Sequence, residues 1–314
     1  MTAQHAGPAL LSRRGDRVSV DEAVAAFLAS PCCNASANTR RAYCSTLHRM
    51  AEELGRHRPL IDVGDEEIGD VLTALWGTTA PSTFNRNRAT AASWLSWCAD
   101  QAHWPAPSLP ATCRRSREAE DTTHAVDAAV IDRICNRHDI DLRERLLWRM
   151  LYETAGRASA VLALNVEDCD FDDRRAETTV RGGGTALIVW GRGTASLLPS
   201  HLAGRTRGPL FCSNRRPNPA RRAAADSRDL CPETGRIRLG YDRARVLIKQ
   251  HTGLHLHQLR HSAATHLGEA GADVTVIMAK THHRSIRTAA RYSRPGIAAI
   301  SAATDLLGPP DEQW

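Results

Sequence analysis

The C-terminal third of the chain carries residue types suited to phosphate chemistry. His257-Gln258-Leu259-Arg260-His261 places two imidazoles and a guanidinium close together, His282 and His283 follow, and Tyr292 comes shortly after. On a helix, His257 and Arg260 project to one side and present an imidazole beside a guanidinium. Leu256, Leu259, Ala263 and Leu267 fall on one face and anchor that helix to a core. A guanidinium grips anionic oxygens bidentately, and a phenol becomes a nucleophile where its ionised form is favoured. The chain has only 4 Tyr. His282 and His283 could suggest a metal pair, but no Cys or acidic ligand has partner spacing nearby, so no metal and no cofactor is expected.

The elements that must hold these residues can be read outward from them. Gly271 ends the His257–Leu267 helix, and Asp273 caps the next, whose apolar set is Val274, Ile277 and Met278. A last short helix holds Ile286, Ala289, Ala290 and Tyr292, and Pro295 stops it. Upstream, helices are expected over Val126–Arg137 and Leu142–Thr154. Two strands, Ala176–Val180 and Ala186–Trp190, flank the turn Arg181-Gly182-Gly183-Gly184-Thr185. Residues 203–240 read as a long surface excursion rich in Arg, either a solvated loop or a basic loop facing DNA. Tyr241 onward is helical again.

The N-terminal part reads as all helical. Ser19 and Glu22 have capping-box spacing ahead of Val20, Val24, Phe27 and Leu28. Further helices start near Ser36–Thr39 and span Asp65–Trp76 and Ser82–Ala102, the last with Phe84, Trp94 and Leu95 in its buried stripe. Pro107 and Pro110 break the pattern. The expected organisation is a tail over 1–16, a helical domain over 17–106, a linker over 107–123, a second domain over 124–295, and a tail over 296–314 bearing Ile297, Ile300, Leu306 and Leu307.

Composition narrows the class. The 314 residues carry a formal charge of +6, nearly all the basic charge being Arg, with Lys only at Lys249 and Lys280. That balance suits a polyanionic partner without requiring one. The 9 Cys are scattered with no C-x-x-C pattern, which fits a reducing cytoplasm better than a disulfide scaffold. No signal peptide and no membrane-spanning stretch is apparent, so no membrane partner is expected.

The order His257-x-x-Arg260-His261, Ala264-Thr265-His266-Leu267, Gly271-Ala272-Asp273, His283 and Tyr292 resembles the C-terminal signature of tyrosine recombinases and phage integrases. Tyr152-Glu153-Thr154-Ala155-Gly156-Arg157, followed by Val161-Leu162-Ala163-Leu164, is similar to that family's first arginine box. Asn38-Thr39-Arg40-Arg41-Ala42-Tyr43 and Thr83-Phe84-Asn85-Arg86 resemble its helical core-binding domain. The resemblance implies a mainly α fold with a small antiparallel β-sheet: a SAM-like core-binding domain plus a catalytic domain, closing as a clamp on double-stranded DNA. It implies strand cleavage and rejoining without metal or ATP. Arg157 and Arg260 would hold the scissile phosphate, Tyr292 would attack to give a 3′-phosphotyrosine, His257 would assist the tyrosine proton, and His283 would bond the phosphate. Arg40, Arg41, Arg86, Arg88 and Lys280 become candidate DNA contacts. The resemblance further implies a monomer that assembles as a homo-tetramer on DNA in the bacterial cytoplasm, on the nucleoid, with partner recombinases or accessory proteins.

Three positions depart from the family pattern. The hairpin turn carries Arg181 where a lysine usually acts as general acid, and arginine is a poor proton donor. Ala160 stands where an acid usually follows the first arginine. Lys280-Thr281-His282 replaces the usual Leu-Leu-Gly, which makes Lys280 a candidate substitute acid. Two other readings stay open: a recombinase-like DNA-binding protein that cleaves poorly, and a type IB topoisomerase-like enzyme that relaxes DNA as a monomer.

Overall fold

The computed structural model describes residues 17–33, 37–118, 123–179, 184–283, 285–293, 296–305 and 307. The expected tail over 1–16, Arg181 in the hairpin turn, and the stop at Pro295 lie outside them. The chain divides into two compact units, residues 1–122 and 123–314.

The first unit packs four helices around one apolar core: α1 (Val20–Ala29), α2 (Ala37–Leu54), α3 (Asp65–Trp76) and α4 (Pro81–Asp100). Ser19 caps α1, and Glu22 returns the bond to complete the capping box. Phe27, Leu47, Met50, Ile68, Leu72 and Trp94 interlock with almost no exposure. The stretch expected to be a linker is folded onto this unit over 107–118. Cys113 is buried in the same core, Arg88 donates from Nε to the Cys113 carbonyl at 2.6 Å, and the Asn85 side chain bonds the Ser116 backbone in both directions at 2.8 Å. Backbone groups that this packing withdraws from water are thereby satisfied.

The second unit contains α5 (Ala128–Cys135), α6 (Leu142–Thr154), α7 (Ala158–Ala163), β1 (Cys169–Asp170), β2 (Arg175–Thr179), β3 (Thr185–Val189), α8 (Arg192–Leu202), α9 (Pro219–Ala223), α10 (Tyr241–Thr252), α11 (Leu256–Glu269), α12 (Val274–Thr281), α13 (Ile286–Ala290) and α14 (Ile297–Asp305). The sheet is antiparallel in the order β1-β2-β3, with Ala176 opposite Ile188. Leu146, Leu147, Trp148 and Met150 make α6 the centre of the core, against which α11 and α8 pack.

The Arg-rich segment over 203–240 is anchored at both ends, where 208–212, Cys231, Ile237 and Leu239 are buried, while the stretch between, including α9, lies at the surface as expected. Leu210, Phe211 and Cys231 are fully buried and Leu239 nearly so. Arg238 uses all five of its N–H donors. Nε reaches Asp229 at 2.6 Å, Nη1 reaches the carbonyls of Leu162 and Leu164 at 2.8 and 2.9 Å, and Nη2 reaches Asn165 Oδ1 and the Arg228 carbonyl at 2.6 and 2.9 Å. These bonds rivet the loop to the carbonyl end of α7.

Candidate active site

Arg157 is placed by a tight corner. α6 ends at Ala155, whose φ of 48° is left-handed, and Arg157 is the N-cap of α7 two residues later. Left-handed backbone at alanine costs about 1–2 kcal/mol, and here it turns the Ala155 carbonyl toward Arg260. A Cβ on Gly156 would lie 3.0 Å from Thr154 Oγ1 and 3.2 Å from Val161, so the corner favours glycine there.

Arg260 lies on α11, 6% exposed. Its Nη1 donates to the Ala155 carbonyl at 2.8 Å and its Nη2 to His283 Nε2 at 2.9 Å. Arg157 donates from Nη2 to the His282 carbonyl at 3.4 Å. Burial and the neighbouring Arg157 lower the Arg260 guanidinium to about 10, with Tyr292 acting in the opposite sense. Among the described residues no carboxylate ion-pairs with either arginine. Two cations held close on neutral acceptors, one of them buried, form a pocket whose charge is completed only by an anion.

His283 bridges this pair to the tyrosine. Thr281 donates its hydroxyl to the Ile277 carbonyl at 2.6 Å, so at His283 Nδ1, 2.9 Å away, it accepts. The network thus assigns the proton of the neutral ring to Nδ1 and leaves Nε2 to accept from Arg260. Burial, then Arg260 and Arg157, push His283 down to about 4.

Tyr292 sits in the turn just past α13, not within the helix that its spacing suggested. Its ring packs with Ala264, Ile277 and Ala289, stacks parallel on His283 at a centroid distance of 6.0 Å, and lies under the Arg291 guanidinium. Its hydroxyl meets His261 Nδ1 at 3.3 Å, and His261 approaches the ring edge-on at 5.3 Å.

The sequence-predicted residues therefore divide. Arg157, Arg260, His283 and Tyr292 converge. His257, expected at the tyrosine proton, lies exposed one turn before Arg260 and acts electrostatically on His283. His261 and Thr281 hold positions that sequence reasoning did not assign; His261 follows Arg260 directly in the motif, while Thr281 gave no signal. Lys280 donates to the Val189 carbonyl at 2.7 Å. Ala160 packs against the core, so no carboxylate supports Arg157 from that position. In the first unit Arg40, Arg41 and Arg86 are exposed, whereas Arg88 turns inward to Cys113. Among the described residues no cluster of His, Cys, Asp and Glu could hold a metal ion, and no helix is long and apolar enough to cross a membrane.

Residues 124–296 match the sequence profile of the phage integrase family. The chain belongs to that family, the tyrosine recombinases. Relatives named tyrosine recombinase XerC include that of Mycobacterium sp. (strain JLS), 26% identical over 298 residues, covering 87% of this chain and 93% of the relative. The Mycobacterium leprae (strain TN) protein is 28% identical, covering 88% and 95%. The fold matches the Tn1549 transposon integrase in complex with transposon right end DNA, with a TM-score of 0.65 at 12% identity, covering 92% of this chain and 99% of that one. It also matches a lambda integrase dimer bound to a COC′ core site, with a TM-score of 0.66 at 15% identity, covering 92% and 82%.

Proposed function

We infer that the chain is a site-specific DNA recombinase that cuts and rejoins strands through a 3′-phosphotyrosine on Tyr292. The observation that carries this reading is the pair of guanidiniums at Arg157 and Arg260, beside the tyrosine and with no carboxylate ion-paired to either among the described residues. A DNA phosphate entering that pocket takes over the donors now on the Ala155, His282 and His283 acceptors. Negative charge grows on its nonbridging oxygens during substitution, and the two arginines stabilise it. The Tyr292 oxygen forms the new bond to phosphorus, its proton passes to a base, and the bond to the 5′-oxygen breaks as that oxygen takes up a proton from an acid or water. His261 is the imidazole placed to receive the tyrosine proton, with His257 one helical turn before Arg260. Because the phosphoester bond is retained on the enzyme, rejoining needs no ATP. His283 bonds the phosphate once a proton sits on Nε2.

Residues 17–106 serve as a core-binding domain, with Arg40, Arg41 and Arg86 contacting the backbone of double-stranded DNA. The working assembly is a homo-tetramer on DNA. α14 supports this, since Ile297 is 88% and Ile300 54% exposed, an apolar face suited to a neighbouring copy. The protein acts in the bacterial cytoplasm, on the nucleoid or a mobile element. A substrate nicked beside the cleavage site traps the covalent adduct. An adduct formed by the wild type and absent from Tyr292→Phe is expected, followed by strand exchange between two marked duplexes. Intact DNA binding without an adduct would instead make it a binding protein, and relaxation without exchange a topoisomerase-like enzyme.

A further inference from the structure

The edge of the small sheet is covered in an unusual way. β3 is an outer strand, and Trp190, an even-numbered residue, donates its N–H to the Arg174 carbonyl at 3.0 Å. Successive carbonyls alternate sides, so those of Leu187 and Val189 face the open edge, where an unpaired strand is a liability. Both are taken by side chains from the end of α12. Lys280 Nζ donates to Val189 at 2.7 Å, and His282 Nε2 to Leu187 at 3.0 Å. His282 reaches it from a left-handed backbone with φ 54°, a conformation that favours glycine, and glycine is what the family pattern usually has there. The same residue offers its own carbonyl to Arg157 and precedes His283.

We propose that Lys280 and His282 form a two-point clamp fixing the β2–β3 hairpin to the phosphate-gripping residues, and that Lys280 is a positioning residue, not the proton donor to the leaving oxygen. The proposal rests on the recombinase reading. One of the three N–H donors of Lys280 anchors its head on a strand carbonyl, and Arg157, His282 and β3 become one mechanical unit.

Sulfur at the leaving position separates the two roles of a lysine. In ordinary DNA the 5′-oxygen departs with a proton from an acid, whereas a 5′-bridging sulfur departs as a thiolate and needs none. We expect Lys280→Ala to lower adduct formation about 10- to 100-fold on both substrates, as misplacement does. Lys280→Arg, which keeps the bond to Val189 but is a poor acid, recovers most of that loss, and His282→Gly loses part of it. Amide exchange at Ala186, Ile188 and Trp190 speeds up in Lys280→Ala. Restoration of Lys280→Ala cleavage by the sulfur substrate overturns the proposal, as does unchanged cleavage and exchange. A Lys280→Arg protein as inactive as Lys280→Ala overturns it too, and answers the question should Lys280→Ala fail to fold. Wild-type protein giving no adduct on either substrate would instead sink the recombinase reading, with amide exchange still reporting the clamp.

Discussion

At the residue scale, the pocket is poised and incomplete. Arg260 keeps its charge at neutral pH despite burial, and its partners are a backbone carbonyl and a neutral imidazole. Arg260→Lys removes the second donor arm and is expected to reduce adduct formation about 10²- to 10³-fold, with DNA binding measured in parallel largely kept. His283 provides a pH signature. The folded ring stays neutral down to about 4, while an unfolded histidine protonates near 6.5. Between those values the unfolded chain binds the extra proton, so this contribution is complete above about 6.5 and is lost as pH falls toward 4. Nitrogen NMR should find the Nδ1–H form in the DNA-free protein. A bound DNA phosphate should raise the titration, because an anion favours the imidazolium; an unshifted titration would remove His283 from phosphate contact. The residue types were legible in the sequence. Which imidazole meets the tyrosine hydroxyl was not, because α11 and the turn after α13 set that choice between His257 and His261 through packing.

At the element scale, much was local and therefore readable. The spans of α3 and α6, the Ser19 capping box and the Asp273 cap all follow from nearby residues. α8 was not readable. It begins Arg192-Gly193, contains Pro199, and depends on a distant group: Glu153 Oε2 accepts from the backbone N–H of Gly191 and Thr194 at 2.9 and 3.0 Å. A Cβ at Gly193 would lie 2.5 Å from the other Glu153 oxygen, so the glycine that weakens the helix also admits its cap. The two-residue β1 carries no periodicity to detect. The anchored ends of the Arg-rich segment were not readable, because composition cannot tell a solvated arginine from one like Arg238. Arg238→Ala strands the Leu162 carbonyl, while that of Leu164 keeps the Leu210 N–H, and should destabilise the second unit by about 1–3 kcal/mol in chemical denaturation, the cost of a buried acceptor without a donor. A change under about 0.5 kcal/mol would show that the rivet is not needed, being no more than an ordinary surface substitution gives.

At the scale of the whole molecule, two units with separate cores share one chain, and Arg157, Arg260, His283 and Tyr292 all lie in the second. α14 leaves Ile297 and Ile300 exposed, and Leu307 beyond it is 88% exposed. Ile297→Asp with Ile300→Asp should leave single-site DNA binding within about twofold and weaken cooperative filling of paired sites about tenfold or more, the range in which linked modules lose avidity. Mobility shifts on one-site and two-site DNA read both quantities, and unchanged cooperativity would return α14 to packing within its own chain. The recombinase reading comes down to one covalent bond. Wild-type protein trapped on nicked DNA, digested with protease and nuclease, can be read by tandem mass spectrometry. A nucleotide joined through its 3′-phosphate to the peptide bearing Tyr292 is expected. A nucleotide on another residue, or one joined through a 5′-phosphate, would contradict it.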